Sequence, residues 1–417
     1  MNEKGGPVPE AIGKLQGQLQ EAGLGLPELD FDDTEKAFAR MSDRELKSTV
    51  RLFKLMANPN LTNTLSGLGL KAVEWGLPGA NWAVENTLYR QFVGGKSLVS
   101  CIPTIQKFHE YGVLSLLDYG AEGKESEEDY NTSQSQLLSA IEFAAQQPAV
   151  PVVTCKITSL ARNGLLEELQ AAEFVFSDEL KREYDGAIRR LDAICNVAEQ
   201  RGVKVFIDAE ESWFQETIDR MATLMMERYN RDRVTVYNTF QLYRHDRLAY
   251  LMASQEEATS KGYLLGAKLV RGAYMEKERA RALEMGYPSP IQPNLAATHD
   301  DFNAALRFCL DHYETLASCN ASHNRASVKL QAGLIAARNL PRKHEHLNFC
   351  QLLGMSDNLT FNLAAAGYNV AKYMVYGPVR DVMPYLVRRA QENKSITGDT
   401  SRELKMLQTE LKRRRSR

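Results

Sequence analysis

The chain has little of what usually announces a function. Its six cysteines (Cys101, Cys155, Cys195, Cys309, Cys319, Cys350) contain no C-x-x-C pair, so neither a zinc site nor a disulfide framework is expected and the thiols read as reduced. No stretch reaches 18 consecutive apolar residues, which argues against a membrane-spanning helix. An excess of one charge is missing too. Lys plus Arg is 51 and Asp plus Glu is 53, a formal −2 that speaks against a nucleic-acid coat. The opening MNEKGGPVPE has neither the apolar core of a secretory signal nor the Arg-rich pattern of a transit peptide, so a cytoplasmic protein is expected. Gly94-Gly95-Lys96-Ser97 ends like a P-loop, but Arg90 stands where the first glycine is required. Gly67-Leu68-Gly69 lacks the third glycine of a dinucleotide fingerprint, and His344-Glu345-His346, beside Arg342 and Lys343, reads as a charged loop rather than a metal pair.

What is present is length and periodicity. The 417 residues, 44% apolar and 25% charged, suffice for two or three domains or for one elaborated barrel. Residues 1–105 read as a helical arm, in which Ser42 caps a helix through Glu45, Leu46, Val50 and Phe53 that Asn58-Pro59-Asn60 ends. From about 106 to 395, apolar or β-branched runs alternate with helical stretches. The runs are Val113–Leu117, Val152–Ile157, Val203–Ile207, Val234–Tyr237, Leu264–Val270, a weaker Ala317–Ser322, His346–Leu353 and Lys372–Tyr376. Eight strand–helix repeats predict a parallel α/β architecture, a (β/α)8 TIM-type barrel with a helical N-terminal extension. Residues 396–417 are left as a tail ending in Lys412-Arg413-Arg414-Arg415-Ser416-Arg417. Its ordinary reading is a frayed end; its sharper one is contact with an anionic membrane surface.

Barrels carry chemistry at the C-terminal ends of their strands. The polar residues there are Asp118, Glu122, Lys156, Asp208, Gln241, Tyr243, Lys268, Arg271, His323, Asn324 and Tyr376. A lysine inside Val-Val-Thr-Cys-Lys-Ile or Gly-Ala-Lys-Leu-Val-Arg is costly unless it meets a carboxylate or a bound anion. Arg388 and Arg389, adjacent on one helix, can grip a carboxylate, although a surface pair is the commoner use of such residues.

Six segments in order, Ile207-Asp208-Ala209-Glu210-Glu211, Gly266 to Tyr274, Ala321-Ser322-His323-Asn324, Gln351 to Met355, Tyr376-Gly377-Pro378-Val379 and Tyr385 to Asn393, resemble the successive motifs of the proline dehydrogenase family. The resemblance spans about residues 110–395, and Lys268 and Arg271 follow the monofunctional, eukaryote-like branch. It implies a distorted barrel holding non-covalent FAD that oxidises L-proline to Δ1-pyrroline-5-carboxylate, the first step of proline catabolism, by hydride transfer from C5 to flavin N5. A membrane quinone is the implied electron acceptor, which would give the basic tail a peripheral contact with the inner face of the cell membrane. At this length no fused aldehyde dehydrogenase is expected.

The same resemblance implies roles. Arg388 and Arg389 bind the proline carboxylate, with Glu122 orienting one of them and Lys156 as a third cation. Tyr376, Tyr385, Tyr274 and Leu352 wall the ring, Tyr376 crowding C4 and so disfavouring 4-hydroxyproline. Lys268, Gln241, Arg271, Ser322, His323 and Asn324 hold the flavin cofactor, and Asp208, beside Lys156 and Lys268, belongs to the catalytic neighbourhood. The alternatives are a 4-hydroxyproline dehydrogenase and a flavin- or proline-binding sensor without turnover.

Overall fold

The computed structural model describes residues 29–56, 75, 77, 79–120, 125–171, 177–395 and 399–416. A short strand, β1 (Val93–Gly95), precedes eight longer ones. These are β2 (Leu114–Tyr119), β3 (Val152–Cys155), β4 (Lys204–Ile207), β5 (Val236–Gln241), β6 (Leu265–Val270), β7 (Leu316–Ala321), β8 (Leu347–Leu352) and β9 (Asn369–Tyr376). Neighbours from β2 to β9 pair in chain order and in parallel, and β9 pairs with both β8 and β2, which closes the sheet. All eight expected strands are present, in the expected (β/α)8 TIM-type barrel. The weakest run forms β7 because its inward residues, Ala317 and Cys319, suit a crowded interior while Leu316 packs outside.

Strand parity divides the barrel. Leu117, Val153, Val205, Val236, Leu265 and Phe349 face the surrounding helices, whereas Leu116, Val152, Phe206, Tyr237, Cys350 and Tyr373 face inward. Gly266 makes room for the interior rings, since a Cβ there would lie 2.3 Å from the Val236 carbonyl oxygen and 2.9 Å from Tyr237 Cγ.

The barrel is distorted at its mouth. The pairing of β8 with β9 ends at Leu352 and Tyr373, and beyond it β1 takes that side of β9, through Val93 with Val375 and Gly95 with Tyr376. Only a glycine fits at 94, where a Cβ would come 2.3 Å from Met374 Cγ. The P-loop-like segment is therefore a close-packed strand, followed by a capping box in which Ser97 and Ser100 satisfy one another's backbone N–H groups ahead of the helix Leu98–His109.

Ser42 caps the helix Asp43–Met56 as expected, exchanging bonds with Glu45; Asn58-Pro59-Asn60 lies outside the described residues. The C-terminal expectation needs correction. The basic run is not frayed but ends a helix, Asp399–Arg415, whose Met406 and Leu407 pack on Phe38, Leu46, Val50 and Phe53. The physical reason is Glu410, whose side chain is wholly buried and needs cations. Arg413 pairs with it at 2.7 Å and with Glu35 at 3.0 Å, and Arg414 pairs with it at 2.7 Å while donating to the carbonyls of Phe38 and Met41. Among the described residues no helix is long and apolar enough to cross a membrane.

Candidate active site

An acid–base cluster crosses the upper interior of the barrel. Lys268, on β6, places Nζ 2.5 Å from Asp208 Oδ1, just beyond β4. Asp208 Oδ2 accepts a 2.8 Å bond from the Tyr373 hydroxyl on β9. The Thr154 hydroxyl, on β3, lies 3.4 Å from that of Tyr373 and donates to Asp118 Oδ1 on β2 at 2.8 Å. Lys268 is buried, yet it resides within 5.8 Å of the Phe206 ring centroid and 4.9 Å of that of Tyr373. Burial alone would lower its ammonium, but Asp208 outweighs burial and holds it above the usual lysine value. Asp118 is the opposite case: burial raises its carboxyl to about 6, with Lys156 pulling it down and Asp208 pushing it up.

Lys156 and Glu210 extend the cluster towards the mouth. Glu210 accepts from the Thr158 hydroxyl at 2.6 Å, and burial raises its carboxyl to about 7 against the pull of Lys156. Gln241, at the end of β5, donates to the Glu210 carbonyl at 2.7 Å. Tyr274 caps the helix Met275–Met285, and burial raises its phenol well above the ordinary value; Lys156 and Arg388 act on it in the other direction. The mouth is closed by the helix Val379–Ser395, which carries Tyr385, Arg388 and Arg389. Arg389 is buried with its guanidinium 5.1 Å from the Tyr385 ring centroid. Leu352, ending β8, packs in the same apolar cluster as Tyr385. Glu122 lies outside the described residues.

A second group sits above β6 and β7. Arg271 donates to His299 Nδ1 at 2.9 Å, Ser322 Oγ at 2.7 Å and Ser327 Oγ at 2.9 Å, and lies over the Phe302 ring. Asn324 caps the helix Arg325–Ala337 by accepting from the Ser327 N–H. A fixed guanidinium beside a helix N-terminus is a donor set that fits a phosphate-bearing cofactor, and Lys268 with Gln241 adds donors towards the barrel axis. His323 accepts from the Leu352 N–H through Nε2, at 3.5 Å, which leaves its proton on Nδ1 facing Ser356 Oγ at 2.9 Å. Burial, then the charges of Lys372, Arg389 and Arg271, lower this imidazole to about 3, so it is neutral. Both of its nitrogens are engaged with the protein, so only its ring face is left for a cofactor.

One expected placement is overturned. Tyr376 is not an interior wall: it belongs with Met374 and Val370 in the cluster outside the barrel and packs on Tyr119, ring centroids 5.4 Å apart. The inward tyrosine is Tyr373, three residues earlier, and strand parity is the reason. Thr154 and Tyr373 were not among the expected site residues, and Asp118, picked out at the end of its strand, was given no role. The available signal was the same as for the lysines, polar side chains at inward positions of apolar strands. Lys372 carries that signal too but faces outward, where it pairs with Asp357 at 2.8 Å.

The family model for proline dehydrogenase matches residues 101–402. The chain is similar to a hydroxyproline dehydrogenase of Xenopus laevis, 31% identical over 93% of this chain and 90% of that protein. It is also similar to the mitochondrial proline dehydrogenase 1 of Drosophila melanogaster, 39% identical over 54% of this chain but only 35% of the fly protein's length. The fold is shared with proline utilization A of Bdellovibrio bacteriovorus, a structure of the protein inactivated by N-propargylglycine. That likeness has a TM-score of 0.68 at 19% identity and covers 94% of this chain and 42% of that one.

Proposed function

The chain belongs to the proline dehydrogenase family, and from that premise we propose that it oxidises L-proline to Δ1-pyrroline-5-carboxylate on a non-covalently held FAD. When bound, the flavin would supply the two-electron chemistry, with N5 as the acceptor for the hydride of C5. The protein's part is to bind, orient and manage charge. Arg388 and Arg389, on the helix that closes the mouth, take the substrate carboxylate as charge-assisted bonds, with Lys156 as the third cation and Glu122 as a partner of the pair. Tyr274, Tyr385, Leu352 and Tyr373 exclude water from the pyrrolidine ring. Asp208, held by Lys268 and Tyr373, is the carboxylate placed to accept the proton that the secondary amine loses. Lys268, Gln241, Arg271, Ser322 and the ring of His323 face the cofactor, and Asn324 serves it through the helix it caps. A quinone is the proposed acceptor of the electrons. With Arg413 and Arg414 bound within the protein, the C-terminal run is a weak candidate for membrane contact.

The observation that carries this reading is that Lys156 and Arg388, from two separate segments, both act on the buried Tyr274 of a third, in a barrel whose interior holds the Asp208–Lys268 pair. Anaerobic addition of L-proline to the yellow purified protein should bleach its flavin bands. A protein that binds flavin and is not bleached would be the sensor instead. The 4-hydroxyproline reading is favoured by the Xenopus relative, and the residue that bears on it is the inward Tyr373, whose ring and Asp208 bond fill the space a 4-hydroxyl would need. Bleaching by trans-4-hydroxy-L-proline faster than by L-proline would reverse the choice.

A further inference from the structure

The Asp118 carboxyl has no part in the reading above, yet it is joined to the Asp208–Lys268 pair by two hydroxyls. We propose that Asp118 is a positioning residue that acts through Thr154 and Tyr373 to set how strongly Asp208 can accept a proton. The inference rests on the placing of Asp208 beside the substrate amine.

The argument is one of counting protons. Thr154 and Tyr373 have one hydroxyl proton each. With Asp118 ionised, Thr154 gives its proton to Asp118 Oδ1 at 2.8 Å and Tyr373 gives its own to Asp208 Oδ2 at 2.8 Å, so the two hydroxyls point away from each other across 3.4 Å. When Asp118 takes up a proton it donates to Thr154, and the Thr154 hydroxyl is free to turn and donate to the Tyr373 oxygen. A hydroxyl that accepts a bond becomes a stronger donor. Tyr373 then holds Asp208 more tightly and makes that carboxylate a weaker base. No atom leaves the protein in this change; one proton taken from solvent at Asp118 reverses the direction of one hydroxyl. The groups facing Asp118 are Lys156 beyond β3, Asp208 beyond β4, Thr154 on β3 and Tyr373 on β9, and the hydroxyls of Thr154 and Tyr373 both favour its charged form. Lys156 favours the charged form and Asp208 opposes it. Burial has already brought the Asp118 carboxyl up to about 6, so the change falls within an accessible pH range.

The test compares purified wild-type protein with Thr154→Val, Thr154→Ser and Asp118→Asn. Infrared titration reads the protonated-carboxyl band without any need for turnover. Beside the bands of the Glu210 and Glu403 carboxyls, which titrate at about 7 and remain, the band that appears as pH falls through about 6 should vanish in Asp118→Asn. The rate of flavin reduction by saturating L-proline, followed in the same proteins, should fall by about three- to tenfold as pH drops through that point in the wild type and then level off. Thr154→Val, which keeps the side-chain shape and removes the hydroxyl, should abolish this limb, and Thr154→Ser should restore it. A limb unchanged in Thr154→Val, or a carboxyl spectrum that Asp118→Asn leaves unaltered, overturns the proposal. A wild-type flavin that L-proline does not bleach would refute the proposed activity, while the infrared titration would still decide whether Asp118 is the titrating group.

Discussion

Replacing Lys372 by methionine should separate stability from chemistry, because this lysine is fully buried outside the barrel wall. Its ammonium lies 2.8 Å from Asp357 Oδ1 and donates to the Met355 carbonyl at 2.5 Å, while Arg40 approaches the other oxygen of Asp357 at 2.5 Å. Stranding one member of a buried pair costs about 3–5 kcal/mol. Lys372→Met does not strand Asp357, since Arg40 remains, so the loss should be nearer about 2–3 kcal/mol by the same reasoning. Asp357→Asn does strand Lys372, whose side chain is 0% exposed, and should cost the full amount. The double variant should lose at least about 1 kcal/mol less than the sum of the singles, as expected for groups in one network. Urea unfolding followed by circular dichroism and fluorescence measures all three. A Lys372→Met loss below about 1 kcal/mol, or strict additivity, would refute the account. The pH dependence has a definite sign. Burial pushes the Asp357 carboxyl up, but Lys372 and Arg40 outweigh burial and hold it below the ordinary value. Its contribution is therefore complete above the unfolded value near 3.8 and disappears as pH falls through the lower folded one. Lys372→Met should make that acid loss shallower.

Tyr373→Ser should raise kcat/KM for 4-hydroxyproline relative to L-proline by about tenfold or more, whereas Tyr376→Ser should lower stability and leave the ratio unchanged; equal ratios in both variants would return the role to neither. Arg388→Met should raise KM for L-proline by about tenfold or more with little change in flavin content, and an unchanged KM would remove Arg388 from the carboxylate site. Burial and Asp357 raise the Glu403 carboxyl to about 7. The unfolded chain ionises first, so the native state loses stability as pH rises between about 4.5 and 7. Glu403→Gln should flatten the melting temperature across that window, and an unaltered slope would count against the assignment. Arg414→Ala leaves Glu410 one cation short and two carbonyls unmet; a loss of about 2 kcal/mol should appear in the same urea assay, and no loss would mean that the C-terminal helix is not anchored this way.

Strand positions were legible because a parallel barrel writes its strands as apolar runs between helical ones, and even small inward residues such as Ala317 and Cys319 left a readable gap in the pattern. The interior lysine was legible for the opposite reason, since Lys268 among apolar neighbours had to have a partner, and Asp208 is that partner. Tyr376 misled because the motif supplies two tyrosines three residues apart, and only the side of the strand on which each falls distinguishes them. Lys372 and Lys268 give the same signal in the sequence but face opposite ways. The role of the terminal arginines was hidden because Glu410 becomes a buried acid only when helices about 350 residues apart in sequence meet. Such long-range burial leaves no local trace.

The way β1 takes over from β8 along β9 has a kinetic consequence. Val93 and Gly95 must find Val375 and Tyr376 across about 280 residues of chain, and the helix Asp43–Met56 must find Met406 and Leu407 across a still longer span. These contacts cannot begin until the stretch from Val375 to Leu407 has been synthesised, and closing loops of that length is slow relative to local structure. Seven strands can assemble on the way, but the mouth is completed last, together with the helix that carries Arg388 and Arg389. A nascent chain in which β9 is not yet made leaves its interior exposed along the seam between β2 and β8. Chaperone capture, if it occurs, should be strongest there, and substrate binding competence should appear as the final step of folding rather than growing with the barrel.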